Sequence, residues 1–377
     1  MANKKFSEFT LKTDSANVDF LVGFDGSDNV RIAPSNLSSG GASSLNGLSD
    51  VLVDTASLYV GTIPSGLSGN PQGNTTLGIS AGLGLTSGAN NTIIGNSAGV
   101  SNTGSNVVAI GSEAARVNTA DQTVSVGYQS GYSQTSGVTN TYVGYQSGYS
   151  TTTGRDNAYV GRGAGYSATG SRNSSLGDGA FGGGFGHSGT DNVVFGYRAL
   201  QQPSGASNYN VAIGSDALRG SGTKSNNVAV GYQAGTAITT GSNNIVIGYQ
   251  AAASAVDVSN EITLGDANIA TLRCQVQTIS ALSDSRDKTN IQPSTYGLDL
   301  ISQLHPVTFD WNMRDGAKVG QKDLGFIAQE LQEVDDENLQ LVYDNNPDRL
   351  EASYGRLIPV LVQAIKELKA EVELLKA

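Results

Sequence analysis

The chain has 377 residues, a formal net charge of −11 and a single cysteine. The acidic balance, with no basic patch along the sequence, argues against nucleic acid or an anionic membrane surface as the main partner. One cysteine, Cys274, excludes an intrachain disulfide framework and a cysteine-rich metal site.

The opening residues, Met1 to Phe9, hold no apolar core of signal-peptide length. Nowhere does a run of about 18 apolar residues occur. The expectation is a soluble protein without membrane insertion, made in the cytoplasm and not exported by a standard route. Residues 1–70 read as an N-terminal segment that precedes the repeats.

From Gly78 onward one short phrase recurs, opening on Asn, alternating aliphatic residues and closing on Gly. The closing glycines are Gly78, Gly95, Gly111, Gly127, Gly144, Gly161, Gly177, Gly196, Gly214, Gly231, Gly248 and Gly265, spaced 16 to 19 residues apart. A fixed period over half a chain means stacked units and not one globular core. The alternating pairs, such as Val211/Ile213 and Val228/Val230, predict short half-buried strands. Asn91, Asn106, Asn140, Asn157, Asn192, Asn210, Asn227 and Asn244 suit turns, since Asn bonds nearby backbone and tolerates left-handed geometry. The glycine supplies a backbone position that a side chain would block, through positive φ or close approach.

One such unit offers about two apolar side chains per strand. Burying each contributes roughly 1.5–3 kcal/mol, while ordering each residue's backbone costs about 1–2 kcal/mol. Two architectures could make the thin apolar faces meet: three chains around a common axis, or a single-chain β-solenoid. In the first, residues such as Val211, Ile213, Val228 and Val230 face the axis or a neighbouring chain. Tyrosines recur at 128, 145, 232 and 249, as packing residues of the strands or as platforms for sugars.

Composition changes near Ser283. The last 95 residues hold 17 of the 33 acidic residues against 10 Lys and Arg, and five of the 49 glycines. The closing stretch repeats every seven residues: Ile358, Ile365 and Val372 form one seam position and Leu361, Leu368 and Leu375 the other, which predicts a coiled-coil helix. A β-branched residue at the first position and Leu at the second nominally favours a parallel dimer. Pro359 falls near the helix start, where a missing N–H matters least. His305, Trp311 and Phe326 read as structural residues. With His187 and His305 the only histidines, no Ser-His-Asp arrangement is available.

The phrases Asn-Val-Ala-Ile-Gly-Ser-Asp-Ala (210–217) and Asn-Val-Ala-Val-Gly-Tyr-Gln-Ala (227–234) resemble head repeats of bacterial trimeric autotransporter adhesins and repeats in phage tail fibres. Asp19 to Leu37 resembles the opening of many phage fibre and virion proteins, which implies docking on phage tail or baseplate proteins. The run Ile279–Ile291, with Gly297–Trp311, Gly325–Glu330 and Tyr354–Leu368, resembles in order the intramolecular chaperone domain of endosialidases, tailspikes and tail fibres. That family trimerises a fibre and then cuts itself off.

The family's motif is Ser-Asp-x-Arg-x-Lys, matched here by Ser283, Asp284, Arg286 and Lys288. The resemblance implies that Ser283 is the nucleophile and Lys288 the general base of a Ser–Lys dyad, with Leu282–Ser283 the scissile bond. By itself the pattern is a capped, charged turn; the neighbouring blocks carry the reading. A serine hydroxyl needs an adjacent base. A lysine serves as one only if burial or a nearby cation lowers its pKa from about 10.4. Arg286 is a candidate for that cation, and trimer assembly for that burial. Asp284 orients the dyad or caps the turn.

The expected fold is mainly β. An elongated homotrimeric shaft of the β-roll or triple β-helix type spans 71–282. An α+β chaperone domain spans 283–377 and ends in the coiled-coil helix. The expected function is a virion tail fibre or spike that binds a glycan or protein receptor on the host surface, around Val256–Ile279. It is assembled in the host cytoplasm, without cofactor or metal, and is an enzyme only as a single-turnover autoprotease. The alternatives are a tailspike enzyme that depolymerises host polysaccharide, which no recurring Asp/Glu pair supports, and a cellular trimeric adhesin.

Overall fold

The computed structural model describes residues 21–24, 29–32, 51–54, 56–68, 71–183, 186–269, 271–275, 281–314, 316 and 318–376. Most of the expected docking segment, residues 19–37, and part of the expected receptor region, residues 256–279, lie outside them. The chain forms two compact units, residues 1–191 and 192–377.

In the first unit, β1 (Leu21–Phe24) pairs antiparallel with β2 (Asn29–Ile32). Next, β3 (Val51–Asp54) pairs antiparallel with β4 (Ser57–Gly61). From β4 on, every pairing is parallel: β5 (Thr75–Gly78), β6 (Thr92–Ile94), β7 (Val108–Ile110), β8 (Val124–Val126), β9 (Thr141–Val143), β10 (Ala158–Val160) and β11 (Ser174–Leu176) follow in sequence order. Equivalent repeat positions pair, as in Val108 with Val124 and Ala109 with Ser125. One strand per repeat, stacked in register on the next, is a β-solenoid.

The second unit opens with the same construction in β12 (Val193–Phe195), β13 (Val211–Ile213), β14 (Val228–Val230), β15 (Ile245–Ile247) and β16 (Ile262–Leu264). Its remainder is mixed: α1 (Leu298–Gln303), an antiparallel pair β17 (Val307–Asn312) and β18 (Val319–Gly325), α2 (Ala328–Gln332), a short pair β19 (Val342–Tyr343) and β20 (Glu351–Ala352), and α3 (Leu357–Lys376). Leu300, Leu331, Leu339, Leu341, Leu357 and Val360 form its core, with Phe326 packed at the edge. Trp311, read as structural, lies outside that core, half-buried edge-on against Phe309.

The alternation expected of the strands is present, with its phase reversed relative to the coil interior. From β6 to β15 each strand has three residues, and the pleat turns only the middle one inward. Ile93, Ala109, Tyr142, Ala212 and Ala229 are fully buried. Val211, Val228 and Val230 are half-buried, and Ile213 is 38% exposed. These four therefore do not fill their own coil; they stand in two outer apolar rows, and Phe195, Ile247 and Leu264 continue that of Ile213 and Val230. A like row in the first unit includes Leu77 and Leu176.

The glycine expectation holds on both grounds. Gly111 has φ +130°, and a Cβ there would lie 2.5 Å from the Gly127 carbonyl oxygen of the next coil. Asparagine does something other than expected. Asn91, Asn140, Asn157, Asn192, Asn210, Asn227 and Asn244 are buried, and their side chains run along the stack. Asn227 Oδ1 accepts the Asn244 N–H at 3.0 Å while its Nδ2 donates to the Gly241 carbonyl at 2.9 Å. Asn106 alone of the eight takes the left-handed turn, at φ 59°, and Val107 occupies the buried place beside it.

Backbone bonds between coils supply what the thin core lacks. In one coil Gly231 N–H donates back to Ile213 O (2.8 Å), Gln233 N–H back to Ser215 O (2.9 Å) and Gly235 N–H forward to Ala251 O (2.9 Å). Each such bond contributes about 0.5–1.5 kcal/mol net. A ledger of apolar side chains alone therefore underestimates the stability of a single chain.

Candidate functional site

Leu282 precedes the C-terminal domain and is 98% exposed. Two residues on, Asp284 caps a one-turn 3₁₀ helix, Ser285–Asp287: its carboxylate accepts the Arg286 N–H at 2.9 Å. That turn folds residue 288 back over residue 283. Lys288 Nζ donates to Ser283 Oγ at 2.6 Å. The structure thus brings together the two residues expected to form the dyad.

It does not bring Asp284 or Arg286 to them. Arg286 Nη2 and Asp284 Oδ2 pair at 2.6 Å. The Arg286 side chain, then its backbone N–H, holds the Asp284 carboxyl below the usual carboxylate range, and the pairing raises the Arg286 pKa in turn. Arg286 therefore spends its charge on Asp284, and Asp284 is the cap of the turn. Ser283 and Lys288 are exposed. Neither the cation nor the burial that would make a lysine basic is supplied by the single chain.

The other expectations resolve as follows. His305 Nδ1 lies 3.4 Å from Glu330 Oε2 on an exposed surface. The six seam residues of α3 face outward: Ile358, Leu361, Ile365, Leu368, Val372 and Leu375 are 39–87% exposed, while Leu357, Val360 and Ala364 pack on the domain. Surface tyrosines stack on one another, Tyr128 on Tyr145 at 5.3 Å and Tyr132, Tyr149 and Tyr166 in a row at 4.9 and 5.0 Å. Each stacked ring has at least one face covered by its neighbour. This favours packing over sugar stacking as the reason for the repeats.

Two residues gave no signal in the sequence. Lys224 is fully buried, its Nζ donating to the Leu218 and Gly220 carbonyls at 3.0 and 3.3 Å, and burial lowers its pKa to about 8. Glu261 occupies the asparagine position of the last coil. A cleft of about 1420 Å³ is lined by residues 250–268 and 340–356 among others, and includes neither Ser283 nor Lys288. No helix among the described residues is long and apolar enough to cross a membrane.

Comparison with known proteins agrees with this organisation. Residues 283–340 match the family model described as chaperone of endosialidase. The long tail fiber protein Gp37 of Enterobacteria phage K3 is 32% identical over 96 residues, 25% of this chain and 8% of that protein. Its counterpart in Enterobacteria phage T2 is 32% identical over 96 residues, 25% of this chain and 7% of that protein. The chain thus covers less than a tenth of the length of these relatives. No solved structure matches it. The chain is a β-solenoid whose residues 283–340 match the chaperone-of-endosialidase family model and which is similar over 96 residues to phage long tail fiber proteins.

Proposed function

We propose that the chain is the subunit of a homotrimeric phage tail fibre or spike, docked through its N-terminal segment to tail or baseplate proteins and binding the host surface. Residues 283–377 assemble the three chains and then detach by cutting Leu282–Ser283. The carrying observation is the 2.6 Å contact between Lys288 Nζ and Ser283 Oγ at the first residue of the chaperone match.

The step needs Lys288 as the neutral amine. Its Nζ takes the Ser283 hydroxyl proton while Oγ attacks the Leu282 carbonyl carbon. The C–N bond then breaks, and its nitrogen, that of Ser283 itself, leaves as the amine with a proton returned by Lys288. The acyl group now sits as an ester on Ser283 Oγ, and water hydrolyses it. Burial by neighbouring chains is what makes the amine available. The outward α3 seam and the outer apolar rows of the coils are faces that copies of the same chain would cover in register.

The test is intact mass and a denaturing gel of the purified protein. Pieces 1–282 and 283–377 are expected from the parent chain, and full-length chain from Ser283→Ala and Lys288→Ala. A parent chain that is trimeric in solution yet stays whole would refute the cleavage.

A further inference from the structure

The residue after the row glycine is tyrosine in several coils, and where neighbouring coils both carry one the rings stack. Tyr128 lies on Tyr145 at 5.3 Å and Tyr232 on Tyr249 at 5.4 Å. In the second unit this row reads Tyr197, Ser215, Tyr232, Tyr249. The coils that carry it follow directly on one another. A Cβ on Gly196 would lie 3.1 Å from Ser215 N, and Gln233 N–H donates to Ser215 O at 2.9 Å. Ser215 therefore leaves one rung of the stack without a ring. Two coil steps of about 4.8 Å set Tyr197 and Tyr232 about 10 Å apart. Tyr249 covers one face of Tyr232, so the other face is turned to that rung. Both bordering rings are exposed, Tyr197 by 44% and Tyr232 by 42%.

The polar row beside it is broken at the same coil. Gln250 Nε2 donates to Gln233 Oε1 at 2.9 Å, as Gln146 does to Gln129 at 2.8 Å. Gln129 in turn donates to Glu113 at 2.6 Å. At the equivalent step Asp216 follows Gln233, but its carboxylate pairs with Arg219 at 3.4 Å. The Gln233 side-chain N–H groups have no acceptor among the described residues. Arginine shows the same break. Arg116, Arg155, Arg162, Arg172 and Arg219 each lie within 3.8 Å of a carboxylate. Arg198 has none among the described residues; its guanidinium lies over the Tyr197 ring, 4.7 Å from the centroid.

We propose that the rung at Ser215 is a binding site for one pyranose ring that carries a carboxylate, an acidic sugar of a surface glycan. Seated there, the sugar lies about 5 Å from each tyrosine, close to the step at which the tyrosines stack on one another. Its C–H faces pack on the two aromatic faces, and its hydroxyls meet the Ser215 hydroxyl and the Gln233 amide at the edge. Its carboxylate meets the Arg198 guanidinium, whose planar fork suits that group. The choice of a sugar among flat acids rests on the host-surface role proposed above and names its receptor chemistry.

The test titrates the full-length chain with sodium glucuronate and, separately, with glucose, read by saturation-transfer NMR at the sugar ring hydrogens. The parent should bind glucuronate about tenfold more tightly than glucose, as one charge-assisted contact provides. Arg198→Ala should remove that preference. Ser215→Tyr supplies the missing rung and should abolish binding of both sugars while melting like the parent. Tyr232→Ser, which removes one wall, should weaken both sugars as well. Glucuronate unbound by the parent, or bound equally by Ser215→Tyr and Tyr232→Ser, overturns the site. If Ser215→Tyr changes the mass of the assembly and not sugar binding, the rung holds a ring of a neighbouring copy and the proposal falls. Ser283→Ala should bind glucuronate as the parent does. A chain that binds glucuronate yet neither assembles nor cuts leaves the site standing and refutes the fibre reading; a cleaved trimer that binds no glucuronate refutes the site alone.

Discussion

A lysine ammonium in water keeps its proton to about pH 10.4 and cannot accept one from a serine. Ser283 and Lys288 are in contact but exposed, so cleavage should be slow in the isolated chain and quick once neighbours exclude water. Lys288→Arg should abolish it, because a guanidinium does not deprotonate. Asp284→Ala and Arg286→Ala remove one and the same ion pair. Asp284→Ala also removes the cap of the turn that brings Lys288 over Ser283, so it should slow cleavage more than Arg286→Ala, and both less than loss of Ser283 or Lys288. Cleavage half-times on denaturing gels decide this; an active Lys288→Arg chain would remove Lys288 from the base role. A second residue-scale prediction concerns the buried asparagines. Asn227→Ala leaves the Asn244 N–H and the Gly241 carbonyl buried without their partner. At about 1–3 kcal/mol per orphaned group the cost is about 2–6 kcal/mol, read from denaturant unfolding of the solenoid. A loss below about 0.5 kcal/mol would mean that the row merely fills space. The contact of Ser283 with Lys288 was legible because the two residues are near in sequence and stand in a specific motif. The asparagine row was misread because the same chemistry serves a turn or a ladder, and only the phase of the strand decides which.

Strand phase is set at the scale of the element. A three-residue strand has one inward position, and the sequence shows aliphatic residues at both outer ones. Periodicity therefore found the strands of the repeats and pointed their side chains the wrong way for a single coil. Two substitutions separate the faces. Ala212→Asp buries a charge within the coil and should unfold it locally. Ile213→Asp, on the outer row, should leave the single coil folded and weaken association of chains. Circular dichroism reads the first effect and sedimentation the second; equal unfolding by both would place Ile213 inside after all. The coil also carries a pH signature. His187 is fully buried, edge-on to Phe181 at 4.4 Å, and burial lowers its pKa to about 4 from 6.5. Above pH 6.5 neither folded nor unfolded chain protonates it, and it costs nothing. As pH falls below 6.5 the unfolded chain takes up a proton that the folded one refuses. Stability then declines until about pH 4, by about 3 kcal/mol in all. His187→Phe should remove that part of the acid sensitivity. Identical melting curves of the two chains from pH 7 to pH 4.5 would refute it.

At the scale of the molecule, the coils and the assembly pose different folding problems. Each coil bonds to neighbours 16 to 19 residues away, as Gly231 does to Ile213, so coils form from local contacts, which close quickly. Setting several chains side by side is harder. The repeats are so alike that a chain displaced by one coil would meet its neighbour almost as well, apolar row on apolar row. Only a unique element breaks that degeneracy. The C-terminal domain offers one in α3, six outward apolar residues at a seven-residue period along which copies of the chain should pair. That the coils stack was legible in the glycine period; that they stand on inter-coil bonds and a polar row was not, because backbone bonds leave no mark in composition. It follows that a chain ending at Leu282 should show the β signal of folded coils but assemble in mixed and soluble-aggregate forms. The full chain, cut only after assembly, should keep one uniform and heat-resistant species. Ile365→Asp in the seam should reproduce the truncated outcome without shortening the chain. Native mass and thermal melts of the three proteins give the answer. A chain ending at Leu282 that assembles uniformly and melts with the full-length protein would show that register is written in the coils themselves.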